Sequence, residues 1–158
     1  MNELDRIIDQ LQRAHSGDAW HGDPLMKILD GITAEIAASR VVPSAHSIWE
    51  LLVHITVWQQ ESARRIRDKN YRDLPPDQDW PAMADTSEQA WKNAIRAVET
   101  AHQQLIDSVR EFDASLLDHA LPQSPNTSYY VLLHGIIQHT LYHAGQIAML
   151  KKQLPDTR

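Results

Sequence analysis

LLHGIIQHTLYHAGQIAMLKK, residues 132–152, is a largely apolar stretch that carries His139 and His143 four residues apart. At about 100° per residue in a helix, the two imidazoles point within about 40° of each other. Four apolar side chains fall within about 80° of the same direction, so the pair points to the side on which the helix packs: Leu132, Ile136, Ile147 and Leu150. The pattern predicts a long packed helix from about Tyr129 to Gln153.

Helical periods also dominate the N-terminal third of the chain, where no clear alternating β pattern occurs. Residues 2–15 form an amphipathic segment that we expect to end near Gly17. Asp23-Pro24 has the pattern of an N-cap followed by proline at the first helical position, and it predicts the start of another helix. Two short helical segments follow it and end near Arg40.

The middle of the chain predicts two further long helices. Ser47-x-x-Glu50 has the form of a capping box and opens a helix that runs to about Lys69. A long loop with three prolines follows at residues 73–85, and Thr86-x-x-Gln89 is predicted to cap the next helix. That helix carries a stripe typical of bundle packing: Trp91, Ile95, Val98, His102, Leu105 and Val109.

A short helix after Asp113 and a polar loop, PQSPNTS at residues 122–128, lead to the last helix. Four long helices with short connecting helices predict an all-α fold, a four-helix bundle in one domain over residues 1–158. The long loops after the first and second major helices permit connections between helices that are not adjacent.

Composition excludes several classes of function. The 158 residues carry a net charge of −6 with scattered Lys and Arg, which argues against nucleic acid as a partner. There is no cysteine, so disulfides, thiolate metal sites and cysteine nucleophiles are excluded. The N-terminus does not resemble a secretory signal, and the apolar stretch around Tyr129–Ile137 is too short to span a membrane. We therefore expect a cytoplasmic protein.

The paired histidines suggest a metal site. Two neighbouring imidazoles can share a cation such as zinc, nickel, iron or copper, which usually needs a third protein ligand. His54 is the best candidate, because Leu51 and Trp58 place it on the interior side of its helix. Ordinary core histidines are the competing interpretation. His102 is either an extra ligand or a core residue, and Glu50 is a possible fourth ligand, although we favour its role in the cap.

Other polar and aromatic residues are weaker candidates for the site. Glu61 is a possible general base or a group that orients a ligand, and otherwise a surface carboxylate. Arg65 points along the His54 side and could meet an anionic ligand, whereas its group of neighbouring arginines reads as a solvated face. Trp20, His21 and Trp58 are candidates for the mouth of a pocket, with a purely structural role as the alternative.

Four stretches of the chain together match the pattern of a known family: HSIWELLVHITVWQ (46–59), residues 132–152, AWHGDPL (19–25) and DWP (79–81). On these motifs the chain resembles the DinB/YfiT-like superfamily. The resemblance implies a bundle in up-down-down-up order, a divalent metal (zinc or nickel, or iron) on His54, His139 and His143, and a homodimer. Members transfer low-molecular-weight thiols such as bacillithiol or mycothiol, isomerise maleylpyruvate with a thiol cofactor, or are called metal-dependent hydrolases.

Three neutral histidines leave an ion with an open coordination position, which suits activation of water or of a thiol. Any thiol must be exogenous, because the chain has no cysteine. We therefore expect a metal-dependent hydrolase or thiol transferase that acts on a small molecule. A non-catalytic dimeric module with a structural metal or small ligand is the alternative. A second apolar face of the last helix either supports the dimer or is covered by the bundle: Ile137, Leu141, Ala144 and Ala148.

Overall fold

The computed structural model describes residues 2–153, and helices dominate it. The helices are α1 (Glu3–His15), α2 (Leu25–Leu29), α3 (Ala34–Ala38), α4 (Ile48–Asp68), α5 (Pro76–Asp79), α6 (Glu88–Arg110) and α7 (Tyr129–Lys152). A 3-10 turn at Ala114–Leu116 precedes a small hairpin of β1 (Ala120–Leu121) and β2 (Ser124–Ser128). The predicted all-α fold, with short helices between long ones, is confirmed.

Four long helices build the bundle. The helix α4 packs against α6 and α7, and α1 packs against the same two partners. The apolar stripe predicted on α6 is buried or packed against the core along its whole length. The up-down-down-up order of the helices stays a prediction.

Two apolar clusters fill the described part of the bundle and meet along α4, α6 and α7. One joins α1 and the C-terminal half of α6 to the C-terminal half of α4 and the N-terminal half of α7, with Ile66 and Leu133 among its members. The other joins α2, α3 and the N-terminal half of α6 to the N-terminal half of α4 and the C-terminal half of α7, through Leu52 and Ile147. His54, His139 and His143 lie where the two clusters meet.

Side-chain caps fix where the long helices begin. The capping box predicted before α4 is confirmed, since Ser47 Oγ accepts from the Glu50 amide at 3.2 Å and Glu50 Oε2 accepts from the Ser47 amide at 2.7 Å. The cap predicted before α6 is wrong by one residue. Ser87, not Thr86, caps it, and its Oγ accepts from the Ala90 amide at 3.2 Å.

The short helix α2 also starts one residue later than predicted. Its N-cap is Pro24, which makes no side-chain capping bond, so Asp23 lies outside the cap. The Asp-Pro pair therefore marks the start of this helix, but no side chain caps its first turn.

The predicted polar loop at residues 122–128 is largely a hairpin instead. Strand β1 pairs antiparallel with β2, with Ala120 opposite Ser128 and Leu121 opposite Ser124. Gln123 takes a left-handed conformation, with φ of 61°, in the turn between the strands. The residues of β2 are polar, so the strand lacks the apolar alternation that predicts β structure. The hairpin places Thr127 in the wall of a cavity.

The second apolar face of α7 packs inside the chain. Ile137 and Ala144 are buried, and Leu141 and Ala148 pack against the two core clusters. The bundle therefore covers this face, which removes it as support for a dimer, and the homodimer stays a prediction. Within residues 2–153, no helix has the length and hydropathy needed to cross a membrane.

Candidate metal centre

Three imidazoles from two helices converge between the core clusters. His54 lies on α4, and His139 and His143 lie one turn apart on α7. One ligand atom from each lies within 4.8 Å of the other two, and the Nε2 atoms of His54 and His139 are 3.0 Å apart. The structure thus brings together the three histidines predicted as metal ligands, while the role itself stays a prediction.

Asp79 fixes the proton on His54. The Nδ1 atom of His54 lies 2.9 Å from the carbonyl oxygen of Asp79 and 3.2 Å from its carboxylate Oδ1. Both atoms only accept hydrogen bonds, so Nδ1 carries the hydrogen in the neutral ring. The lone pair is then on Nε2, which faces the other two histidines. A metal-binding imidazole commonly has this kind of partner on its remote nitrogen.

Gln146 does the same for His143. The Nδ1 atom of His143 lies 2.6 Å from Gln146 Oε1, which accepts its hydrogen and leaves Nε2 as the free nitrogen. Gln146 follows His143 by three residues on α7, and positions three apart share a helix face. Two of the three imidazoles are therefore set in the tautomer that binds a metal through Nε2.

The environment of His139 suits a bound cation. Its Nδ1 is buried and has no hydrogen-bond partner among residues 2–153. Its Nε2 faces the lone pair of His54 Nε2 at 3.0 Å, so either a proton or a cation must lie between the two nitrogens. Three neutral nitrogen donors suit zinc, nickel, iron or copper rather than hard cations such as magnesium, which prefer oxygen.

Burial favours the uncharged form of two of these rings, His139 and His143. Desolvation lowers the pKa of His139 to about 3, and repulsion from the protonated forms of His143 and His54 adds to the shift. Desolvation also lowers the pKa of His143, against the hydrogen bond to Gln146, which raises it. Neutral imidazole is the form that binds a metal, so at neutral pH these two ligands need not lose a proton first.

Aromatic rings close the site on the side of the proline-containing loop. The Trp80 ring stacks on His54 at a centroid distance of 3.8 Å and on His46 at 3.6 Å, nearly parallel to both. Trp58 Nε1 donates to Asp79 Oδ1 at 2.7 Å. The segment around α5 thus holds His54 through a hydrogen bond and a stack. Asp79 was not predicted to orient His54, and the DWP motif was its only signal in the sequence.

An open cavity of about 460 Å³ leads to the histidines. Its lining consists of the three histidines and Asp79 together with Trp58, Ser62, Thr127, Val131, Leu132, Gly135, Ile136 and Tyr142. Most of the wall away from the histidines is apolar, and no Lys, Arg or Glu of residues 2–153 contributes to it. A metal held here would face a space that can admit a small molecule.

Glu61 lies outside this lining and forms a buried ion-pair cluster. It is 3% exposed and accepts from three guanidinium groups, those of Arg64, Arg65 and Arg72. These partners outweigh the opposing effect of burial and lower the pKa of Glu61 to about 2. The interpretation of Glu61 as a surface carboxylate is therefore wrong.

Arg65 is buried behind the cavity wall rather than on a solvated face. Its guanidinium carbon lies 5.3 Å from the Trp58 ring centroid and 4.3 Å from that of Tyr71. Its Nη2 donates to the backbone carbonyl of Arg72 at 2.8 Å. The solvated-face interpretation is wrong for Arg65, whose charge is used within the fold, and Arg65 does not line the cavity.

Trp20 and His21 lie at a different cavity. They line a space between α1 and α7, together with Arg13 and Leu141. Trp20 is fully exposed. Trp58 is the one residue of the three pocket-mouth candidates that lines the cavity at the histidines.

His102 is also separate from the three converging histidines. It stacks on His15 of α1 with the ring centroids 3.9 Å apart and an interplanar angle of 6°. The Nδ1 atoms of both rings are buried without a hydrogen-bond partner in the described part of the chain. The structure therefore places His102 in a helix contact and not beside the candidate ligands.

The chain matches a known protein family. The family model described as the DinB superfamily matches residues 18–147, well over half of the chain, and this range includes all three histidines, Asp79 and Gln146. A search of curated proteins finds no match.

Proposed function

The chain belongs to the DinB superfamily, and from this premise we propose that it is a metal-dependent enzyme whose ion is held by His54, His139 and His143. One observation carries the proposal: the three ring nitrogens converge at the wall of an open cavity. Structural zinc sites usually close with four protein ligands, whereas catalytic sites keep a position for water or substrate. Three histidines beside a cavity match the second pattern.

Zinc or nickel is the favoured ion, with iron as a further candidate, because imidazole nitrogen suits all three. When bound, the ion supplies Lewis-acid activation of a water molecule or of an exogenous thiol. Asp79 and Gln146 hold the hydrogens on the remote nitrogens of His54 and His143, which keeps the Nε2 atoms available. Trp80 stacks on one face of the His54 ring and shields that face from water.

The reaction classes that fit are hydrolysis of a small molecule and transfer of a thiol of the bacillithiol or mycothiol type. Both need one activated nucleophile and space for an electrophile beside it. Catalytic side chains within the cavity are few, so the ion is proposed to supply most of the activation. Glu61 and Arg65 support this wall from behind, by fixing α4 against the loop that follows it.

We also propose that the protein forms a homodimer, as its resemblance to the DinB/YfiT-like superfamily implies. Light scattering coupled to gel filtration should give twice the chain mass, and a monomer at all concentrations would contradict this part of the proposal.

Elemental analysis of purified protein tests the metal site. Wild-type protein should contain stoichiometric zinc or nickel, and His143→Ala and His54→Ala should lose it. His134→Ala is the matched control, because His134 lies on α7 but not among the converging histidines. Wild-type protein that takes up no metal, even after addition of zinc or nickel, contradicts the proposal.

Cobalt substitution distinguishes an enzyme from a module with a structural metal. An open position predicts that azide, added to the cobalt-loaded protein, changes the visible absorption spectrum as it binds the ion. A spectrum insensitive to azide and to other small anions would favour the structural alternative, in which the metal only joins α4 to α7. A screen of thiol cofactors against electrophiles then separates the two reaction classes.

A further inference from the structure

Gly135 lies in the cavity wall, one turn before His139 on α7. A Cβ atom added to Gly135 would meet nothing within 4 Å, so the space beside it is open. Glycine inside a helix lowers the stability of the helix relative to alanine, because glycine loses more backbone freedom on folding. The packing of α7 does not require a glycine at this position. What its missing side chain provides is room in the cavity.

The rest of the lining defines what the cavity can bind. Apolar surface comes from Val131, Leu132, Ile136, Trp58 and Tyr142. The polar groups between them are largely engaged within the protein. The Asp79 carboxylate accepts from Trp58, and Thr127 Oγ1 accepts from Ser124 at 3.2 Å. Among residues 2–153, no Lys or Arg lines the cavity, so only the proposed ion would pair with an anionic ligand group. The one carboxylate in the lining, that of Asp79, is already engaged with Trp58 and His54.

We propose that this cavity binds an uncharged, mainly apolar molecule with a single metal-binding group, and that Gly135 is the residue that sets the size of molecule it accepts. The metal-binding group would reach the three histidines, and the apolar part would lie along α7 past Gly135 toward Val131. A space of about 460 Å³ is large enough for one or two aromatic rings. The first half of this inference rests on the proposed metal site, whereas the apolar part does not.

A series of hydroxamic acids tests the size of the cavity, because its members share one metal-binding group that is uncharged near neutral pH. Acetohydroxamic, benzohydroxamic and naphthohydroxamic acid are titrated into zinc-loaded protein by calorimetry. Burial of the ring should make the naphthyl compound bind at least about tenfold more tightly than the acetyl compound. Equal affinity across the series contradicts the proposal.

Two variants of α7 assign the effect to Gly135. Gly135→Leu should abolish the gain in affinity from the larger rings while leaving the binding of acetohydroxamic acid and the zinc content unchanged. Gly145→Leu is the matched control, since Gly145 is exposed and an added Cβ also meets nothing within 4 Å there. Gly135→Ala should give an intermediate loss and guards against misfolding of the leucine variant. Full retention of the gain in Gly135→Leu would contradict the role of Gly135.

A metal-free measurement separates this inference from the proposed function. Naphthalene, which has no metal-binding group, is added to protein stripped of metal, and amide NMR shifts are recorded. Shifts around Gly135 support the apolar cavity even if no metal is ever bound, in which case only the proposed function fails. The opposite result is zinc binding with equal affinity for all three hydroxamic acids and no NMR shifts on addition of naphthalene. It would overturn the cavity inference and leave the proposed function intact.

Discussion

Asp79 holds His54 through two of its own atoms and is itself held by Trp58. Its carbonyl and carboxylate oxygens both lie within 3.2 Å of His54 Nδ1, and Trp58 Nε1 donates to the same carboxylate. A negative charge beside the remote nitrogen makes an imidazole a better donor to a metal, and it also fixes the ring orientation. Asp79 is therefore a positioning residue that acts through His54.

Replacing Asp79 tests this arrangement. Asp79→Ala should weaken zinc binding about 10- to 100-fold, because the ring loses its charged partner. Asp79→Asn keeps an oxygen that can accept, so it should weaken binding less. Affinity is measured by competition with a chromophoric chelator, with Asp77→Asn as the control on the exposed side of the same short helix. Wild-type affinity in Asp79→Ala would show that the backbone carbonyl alone is sufficient.

The two glycines inside α7 give a stability prediction. Gly135→Ala and Gly145→Ala should each raise the free energy of unfolding by about 0.5–1 kcal/mol, because alanine has the higher helix propensity and meets no atom in either place. Urea denaturation of the metal-free protein checks the values. A loss of stability in Gly135→Ala would mean that the cavity wall closes on the new methyl group.

Between elements, the buried carboxylate of Glu61 links the C-terminal part of α4 to the loop that follows the helix. Arg64 and Arg65 come from α4 itself, whereas Arg72 lies beyond the helix and reaches back to Glu61 at 3.2 Å. The single negative charge of Glu61 thus partly neutralises three guanidinium groups. Removing the carboxylate leaves the buried guanidinium of Arg65 without its ionic partner, which is the costly way to disrupt a buried pair.

Glu61→Gln should therefore lower the free energy of unfolding by about 3 kcal/mol. Arg67→Ala is the control, because Arg67 is exposed, pairs with Asp68 on the surface and should change stability by less than about 0.5 kcal/mol. Both are measured by urea denaturation at neutral pH. An equally small effect for Glu61→Gln would mean that solvent replaces the carboxylate without cost.

The contact between α1 and α6 makes stability depend on pH. Burial lowers the pKa of His15 to about 3 and that of His102 to about 4, against a usual value of 6.5. The unfolded chain therefore takes up protons below pH 6.5 that the folded chain does not, and stability falls as the pH drops toward these lowered values. Each histidine should account for up to about 2 kcal/mol between pH 7 and pH 5.

Denaturation at pH 7 and pH 5 checks this dependence. His102→Leu should reduce the loss of stability between the two pH values, while His119→Leu, at an exposed position, should not. The metal-free protein is used for both, so that metal release does not contribute. An unchanged pH dependence in His102→Leu contradicts a neutral stacked pair.

The regular spacing of apolar residues and histidines predicted the helices and their packed faces. It could not predict residues whose roles depend on contacts with segments distant in the sequence. The spacing on α7 and the interior position of His54 indicated the converging histidines, and the α6 stripe indicated its packing. Nothing periodic marks Asp79, because its loop reaches His54 only in the folded chain. Burial of Glu61 was equally hidden, since it depends on Arg72 from beyond the helix. Thr86 and Ser87 are adjacent hydroxyl residues, and only the backbone angle decides which one caps α6.

For the molecule as a whole, the candidate metal centre lies where its two core clusters meet. His54 is 85 residues before His139 in the chain, so a shared ion would join distant segments at the boundary between the clusters. An ion that binds the folded chain and not the unfolded one adds its binding free energy to stability. The two halves of the bundle would then unfold as one unit when the metal is present.

Zinc should therefore stabilise the whole protein. At a free zinc concentration about 100 times the dissociation constant, the gain is about 2.7 kcal/mol, and the melting temperature should rise with added zinc. His139→Ala should abolish the rise, whereas His134→Ala should keep it. Differential scanning calorimetry provides the measurement, and a zinc-independent melting temperature in wild-type protein would contradict a site between the clusters.

The sandwich of Trp80 between His46 and His54 also gives the protein an intrinsic optical probe. An indole in parallel contact with an imidazole changes its emission when that ring gains a charge or an ion, and Trp80 lies 3.8 Å from the His54 ring centroid. The difference in fluorescence between wild-type protein and Trp80→Phe should therefore report occupancy of the site in real time. Rates of metal entry and release become measurable by stopped flow without any attached dye.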